Sequence, residues 1–208
     1  MRVNGSEKPK AGRVPAVKKE VLVRVHVVLM SALAIVLSAS AVEADSLNCR
    51  LVGSCGIPGV PLTVAVAGSH AYVATLDSGL YVVNVGFPNH PAVVGSCRVP
   101  GMPVMPAVYW NHVYLTSLDS GLYVINVTDP QSPQVVGCFR SSADGDIQAV
   151  AVAGSYAYVT YGDSGLRVLD ISNPQSPAQV SYLRTDGPAG DIKVSGSCAY
   201  VTEYDWGG

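Results

Sequence analysis

Charge is sparse in this 208-residue chain: Asp, Glu, Lys and Arg together make up 13% of it, and the formal net charge is -2. That balance excludes a polyanion-seeking surface, so nucleic acid is not an expected partner. The 49% hydrophobic content excludes a disordered chain. The four histidines are dispersed and no Cys-x-x-Cys occurs, so no zinc constellation can be written. Five cysteines are present, at Cys49, Cys55, Cys97, Cys138 and Cys198. Cys49 and Cys55 lie six residues apart in one expected strand, roughly 20 Å at about 3.3 Å per residue, beyond disulfide reach. The cysteines are therefore read as small residues packed in strands.

Long apolar runs are lacking too. The best candidate, Val21 to Leu37, is interrupted by Arg24 and, at about 17 residues, is short of the roughly 20 that a membrane span needs. Arg2, Lys8, Lys10, Arg13, Lys18, Lys19 and Arg24 precede most of it, and small residues follow it to Val42-Glu43-Ala44. Basic, then apolar, then small is the order of a secretory leader. Residues 1–44 are accordingly read as a signal peptide cut near Ala44, with Ala41 as a second cut site and an uncleaved anchor as the alternative. The mature chain is expected to be exported, to the periplasm, cell surface or medium, with no membrane span of its own.

What the chain does have is repetition. Asp77-Ser78-Gly79-Leu80-Tyr81-Val82-Val83-Asn84-Val85 returns as Asp119-Ser120-Gly121-Leu122-Tyr123-Val124-Ile125-Asn126-Val127 and as Asp163-Ser164-Gly165-Leu166-Arg167-Val168-Leu169-Asp170-Ile171. The spacings are 42 and 44 residues, and Asp205 with Gly207 starts a fourth copy. A period near 40 with strand-like content predicts a propeller-type array. In the first full copy, strand A is expected at 62–67, B at 71–76, C at 80–85 and D at 92–99. Asp-Ser-Gly supplies the B–C hairpin. The Pro-x-x-Pro pairs at Pro88 and Pro91, Pro130 and Pro133, and Pro174 and Pro177 end strand C.

Within strand C, apolar residues are nearly continuous, as in Leu122-Tyr123-Val124-Ile125. A sheet with one wet face would alternate; this pattern predicts burial on both faces, as for a blade between two neighbours. The fold expected is all-β: a β-propeller of four-stranded antiparallel blades forming an incomplete ring. The copies run about 58–99, 100–141 and 142–185, with a partial copy at 186–208, which reads as a truncation at the C-terminus. Leu51-Val52-Gly53-Ser54-Cys55 matches Val93-Val94-Gly95-Ser96-Cys97, so residues 45–208 open on a strand of type D.

Residues 150–177 carry a more specific frame: Val150-Ala151-Val152-Ala153-Gly154-Ser155-Tyr156-Ala157-Tyr158-Val159, then Leu166-Arg167-Val168-Leu169-Asp170-Ile171, then Asn173-Pro174-Gln175-Ser176-Pro177. This resembles the LVIVD repeat of exported bacterial and archaeal proteins. The resemblance implies a β-propeller at or beyond the cell surface and brings no catalytic residues with it. Two departures stand out: Asn84 and Asn126 where the third copy has Asp170, and Tyr109-Trp110-Asn111 where other copies have Ala-Gly-Ser.

No catalytic residue, cofactor site or firm metal site can be assigned. Asp77, Asp119, Asp163 and Asp205 hold one position in four copies and are expected to cap their own hairpins, with Arg98, Arg140 and Arg184 near them as rim charges. The D–A loops offer Asp144, Asp146, Asp186 and Asp191 as weak calcium candidates. Tyr109, Trp110 and Trp206 are read as fill between blades. The sequence thus supports a non-enzymatic exported scaffold meeting a protein or cell-surface glycan. A calcium-assisted hydrolase or lactonase-like enzyme on the same fold is the alternative.

Overall fold

The computed structural model describes residues 22–26, 51–140 and 146–204, with backbone alone for 22–26. Three complete four-stranded antiparallel sheets follow one another. Blade I comprises β3 (Pro61–Ala67), β4 (His70–Thr75), β5 (Gly79–Asn84) and β6 (Ala92–Cys97). Blade II comprises β7 (Pro103–Tyr109), β8 (His112–Ser117), β9 (Gly121–Asn126) and β10 (Gln134–Phe139). Blade III comprises β11 (Ile147–Ala153), β12 (Tyr156–Tyr161), β13 (Gly165–Asp170) and β14 (Ala178–Leu183). The hairpin β15 (Ala189–Ser195) and β16 (Cys198–Glu203) begins a fourth blade. Every expected strand is present within a residue or two.

At the other end, β1 (Leu22–His26) pairs with β2 (Leu51–Gly56), and this pairing is parallel, whereas all pairings inside the blades are antiparallel. β1 falls in the segment read as a leader; the rest of that segment lies outside the described residues. Among the described residues, no helix is long and apolar enough to cross a membrane.

Neighbouring C-strand residues divide between the two faces of each blade, which explains their continuous apolarity. Tyr72, Ala74, Leu80 and Val82 of blade I pack against Val113, Leu115, Tyr123 and Ile125 of blade II. The opposite face of blade II sends Tyr114, Leu122 and Val124 against Ala157, Val159 and Leu169 of blade III. Ala71, Val73 and Val83, on the other face of blade I, meet Cys55 of β2 and Ile57. The N-terminal D-type strand therefore docks where the D strand of a preceding blade would. The inner strands pack in chain order, β3 on β7, β7 on β11 and β11 on β15. Among the described residues, Leu62, Val64 and Val66 of blade I are exposed, and so are Val180, Tyr182, Leu183 and Tyr200 on blades III and IV.

Buried hydroxyls near the axis stitch each blade to the next. Thr116 Oγ1 donates to the Gln148 carbonyl at 3.4 Å, and Thr160 Oγ1 to the Gly190 carbonyl at 2.6 Å. In blade I the matching residue is Ala74, which has no donor. Its cross-strand partner Thr63 supplies the hydroxyl instead, donating to the equivalent carbonyl of Val104. The hydroxyl has moved across one strand pair while the acceptor has stayed in place. A buried carbonyl left without a donor would cost about 1–3 kcal/mol, which is reason enough for one arrangement or the other to be kept.

At the outer edge, the Pro-x-x-Pro loops do more than end strand C. The Pro88 carbonyl and the Pro91 ring press on Gly53 of β2, Pro130 and Pro133 on Gly95 of β6, and the Pro174 loop on Gly137 of β10. A strand glycine permits such close backbone approach. β2, β6 and β10 are thus each latched by the C–D loop of the following blade.

Candidate binding surface

Chain direction places the B–C turns and D–A loops on one face of the arc and the A–B turns and C–D loops on the other. On the first face Asp119 does more than cap its own hairpin. Asp119 Oδ1 accepts the Met102 backbone N–H at 3.2 Å and the Ser120 hydroxyl at 3.1 Å, tying the B–C turn to the loop that enters strand A. The Met102 bond is the main reason its carboxyl is held below the usual carboxylate range. Gly59 and Gly101 make room for this contact: a Cβ on either would strike the carboxylate of Asp77 or Asp119 respectively. The sequence carried a signal for it, a glycine 18 residues before each recurrent aspartate, at Gly59, Gly101, Gly145 and Gly187. The expected Arg–Asp pairing is not formed at Arg140, whose Nη2 donates to the Tyr123 hydroxyl at 3.3 Å instead. Among the described residues the one ion pair is Lys193 with Asp191, at 3.2 Å.

That pair engages one of the calcium candidates. Asp191 lies exposed, with Oδ1 shared between Lys193 Nζ and the Ile192 N–H. Asp186 is also exposed; the cleft formed between blades III and IV, about 340 Å³ in volume, is lined by Asp146, Gln148, Asp163 and Tyr204 among others and not by Asp186. Asp146 and Asp163 of the B–C turn both line the cleft, and Asp144 lies outside the described residues. No group of three or more His, Cys, Asp or Glu is placed to hold a metal ion among the described residues.

The departures at strand C turn out to be equivalent. Asn84 Oδ1 accepts the Gly86 N–H at 2.9 Å, Asn126 Oδ1 the Thr128 N–H at 2.8 Å, and Asp170 Oδ1 the Ser172 N–H at 2.8 Å. Either side chain closes the same Asx turn. Only the aspartate titrates, and the Ser172 N–H lowers its pKa. A depressed carboxyl stabilises the fold above its unfolded pKa of about 3.9 and loses that contribution as pH falls through its folded value. Asp170→Asn keeps the bond without the titration. Its Tm is expected to fall less than that of the natural chain between pH 4 and pH 2, measured by acid titration with thermal melts; an unchanged acid slope would contradict this account.

Burial corrects two expectations. Cys55 and Cys97 are half-buried, and burial pushes both thiols up, but Cys138 and Cys198 are exposed, so packing does not account for them. Trp110 is 81% exposed and is not fill between blades; Trp206 lies outside the described residues. The A–B turn that carries Trp110 is also unusual in its backbone. Gly68, Gly154 and Gly196 hold this place in the other copies with φ of 58°, 58° and 59°, and Trp110 holds it with φ of 51°. A left-handed conformation costs a non-glycine residue about 1–2 kcal/mol. Tyr109 stands edge-on to the indole, ring centroids 6.3 Å apart, in a place that is alanine in blades I and III. With His112 and Tyr114 these rings line a cleft of about 330 Å³ whose far wall is Gly154, Ser155 and Ser172 of blade III. Burial lowers the pKa of His112.

Comparison with known proteins agrees with the geometry. No curated protein matches the sequence. Among solved structures, the computationally designed Ika4 protein superposes with a TM-score of 0.61 at 12% identity, covering 74% of this chain and 91% of its own. BamB from Moraxella catarrhalis superposes with a TM-score of 0.55 at 13% identity, covering 79% of this chain and 44% of its own. At these identities the likeness is one of fold. The LVIVD repeat matches residues 58–99, 144–185 and 186–207, passing over the copy that carries Trp110. With repeats matched over half its length and blades built on one recurring frame, the chain belongs to the LVIVD-repeat family of β-propellers.

Proposed function

We propose that this protein is a non-enzymatic, exported interaction scaffold whose blades hold variable turns in fixed positions. The observation that carries this reading is the division of labour between repeated and unrepeated residues. Residues shared by the copies are occupied structurally: Gly95 and Pro130 latch blades, Asp119 ties a turn to a loop, and Asn126 closes an Asx turn. Trp110, which breaks the repeat most sharply, faces solvent. A framework that repeats beneath a surface that does not is how a solenoid or propeller presents a binding face. Export rests on the basic and apolar order of residues 1–44.

The competing hydrolase reading draws on one feature, the presence of Asp146 and Asp163 in the lining of the cleft between blades III and IV. A ligand that binds only the folded state raises Tm in proportion to its affinity. Melting the chain with millimolar calcium is expected to leave Tm unchanged. A rise of several degrees, abolished by Asp146→Asn, would overturn the scaffold reading in favour of the calcium site.

A further inference from the structure

We propose that the aromatic cleft between blades II and III binds one ring of a neutral glycan. This deepens the scaffold reading and rests on it. The second copy abandons the repeat at two adjacent positions to build the cleft: Tyr109 replaces alanine, and Trp110 replaces the left-handed glycine of the other three copies. Packing cannot account for the tryptophan, because it is 81% exposed, and a Cβ at the corresponding Gly68, Gly154 or Gly196 would have nothing within 4 Å. Side chains set on strained backbone cluster at functional sites.

The chemistry of the walls selects the ligand. With the pKa of His112 pushed down by burial, no wall residue carries a formal charge at neutral pH. An acidic ligand would find no counter-charge there, and the Asp170 carboxylate, which Ser172 hydrogen-bonds, stands behind the wall to repel it. A purely apolar side chain would cover the hydroxyl of Ser155, exposed across from the rings, without replacing its hydrogen bonds to water. A pyranose satisfies both walls: its C–H face lies on the indole, while its hydroxyls pair with Ser155 and His112. The volume, about 330 Å³, stands at the low end of the roughly 300–1,000 Å³ of ligand pockets, which suits one ring held at an open edge.

The test uses tryptophan emission, since Trp110 and Trp206 are the two tryptophans of the chain. With Trp206→Phe as background, cellohexaose, chitohexaose, maltohexaose and xylohexaose are titrated separately. At least one is expected to give a saturable change in Trp110 emission. Affinity for the same oligosaccharide, measured by calorimetry, is expected to fall at least tenfold in Trp110→Gly, which restores the residue of the other copies and keeps or raises Tm. Ser155→Ala is expected to weaken binding severalfold without moving Tm. Absence of binding by all four sugars, or equal affinity in Trp110→Gly, would overturn the cleft and leave the scaffold reading intact. Shortening of the bound oligosaccharide, read by product mass, would overturn the scaffold reading instead.

Discussion

Gly95→Ala is expected to destabilise the chain by about 3 kcal/mol, the upper part of the usual range for forcing atoms into a packed site. The added methyl would press on the Pro130 carbonyl oxygen and lie 3.0 Å from the Pro133 ring. Both groups are backbone or ring atoms of a loop closed by its own hydrogen bonds, Gln131 N–H to Asp129 and Ser132 N–H to the Asp129 carbonyl. Relief therefore requires the whole loop, and with it blade II, to move from blade I. The third blade supplies a natural control. Ser181 stands where Gly95 and Gly137 stand in the first two blades, and its strand β14 is exposed throughout. Ser181→Gly is expected to leave the urea midpoint within experimental scatter. If Gly95→Ala were as silent, the latch between successive blades would not exist.

The second large effect concerns the wall between blades II and III. Leu122 is fully buried among Ala157, Val159 and Leu169 of the neighbouring blade. Leu122→Ala removes the transfer free energy of its side chain and leaves a cavity, together about 2–5 kcal/mol. Leu183, in the last strand of blade III, is 63% exposed, and its replacement by alanine is expected to cost under about 0.5 kcal/mol. Equilibrium urea unfolding distinguishes the two substitutions: a lower midpoint for Leu122→Ala and an unchanged one for Leu183→Ala. Both side chains sit in strands of similar apolarity, so the contrast depends on the neighbouring blade and not on composition.

Strand positions and the two-faced burial were legible in the sequence because they are local. Asp-Ser-Gly and Pro-x-x-Pro bracket each strand, and the unbroken run Leu122-Tyr123-Val124-Ile125 has no wet face to offer. Contacts across blades were harder to read. The latch joins Gly95 to Pro130, whose partnership depends on how consecutive blades fan, although the recurrence of glycine inside a strand at Gly53, Gly95 and Gly137 was a usable sign of close approach. The hydroxyl that moves from the strand B position to Thr63 was invisible for the same reason: Ala74 and Thr63 are linked only through the strand register. For the candidate site, the carboxylates drew attention because acids are chemically familiar, yet Asp191 is engaged with Lys193. Trp110 was noticed as a departure and misplaced as packing, since sequence alone does not show that its turn points away from every neighbour. That it replaces a repeated glycine was the stronger clue, because it marks a position where a side chain is tolerated only at a conformational cost.

A blade that buries both faces has no stability of its own, so damage in one should be felt in the next. Hydrogen exchange followed by mass spectrometry on Leu122→Ala measures this directly. The prediction is faster exchange in blade II and also in Tyr156–Tyr161 and Gly165–Asp170 of blade III, which lie across the shared wall. Faster exchange confined to residues 103–139, with blade III unchanged, would mean that the repeats fold as separate units and would contradict the stacked-blade account.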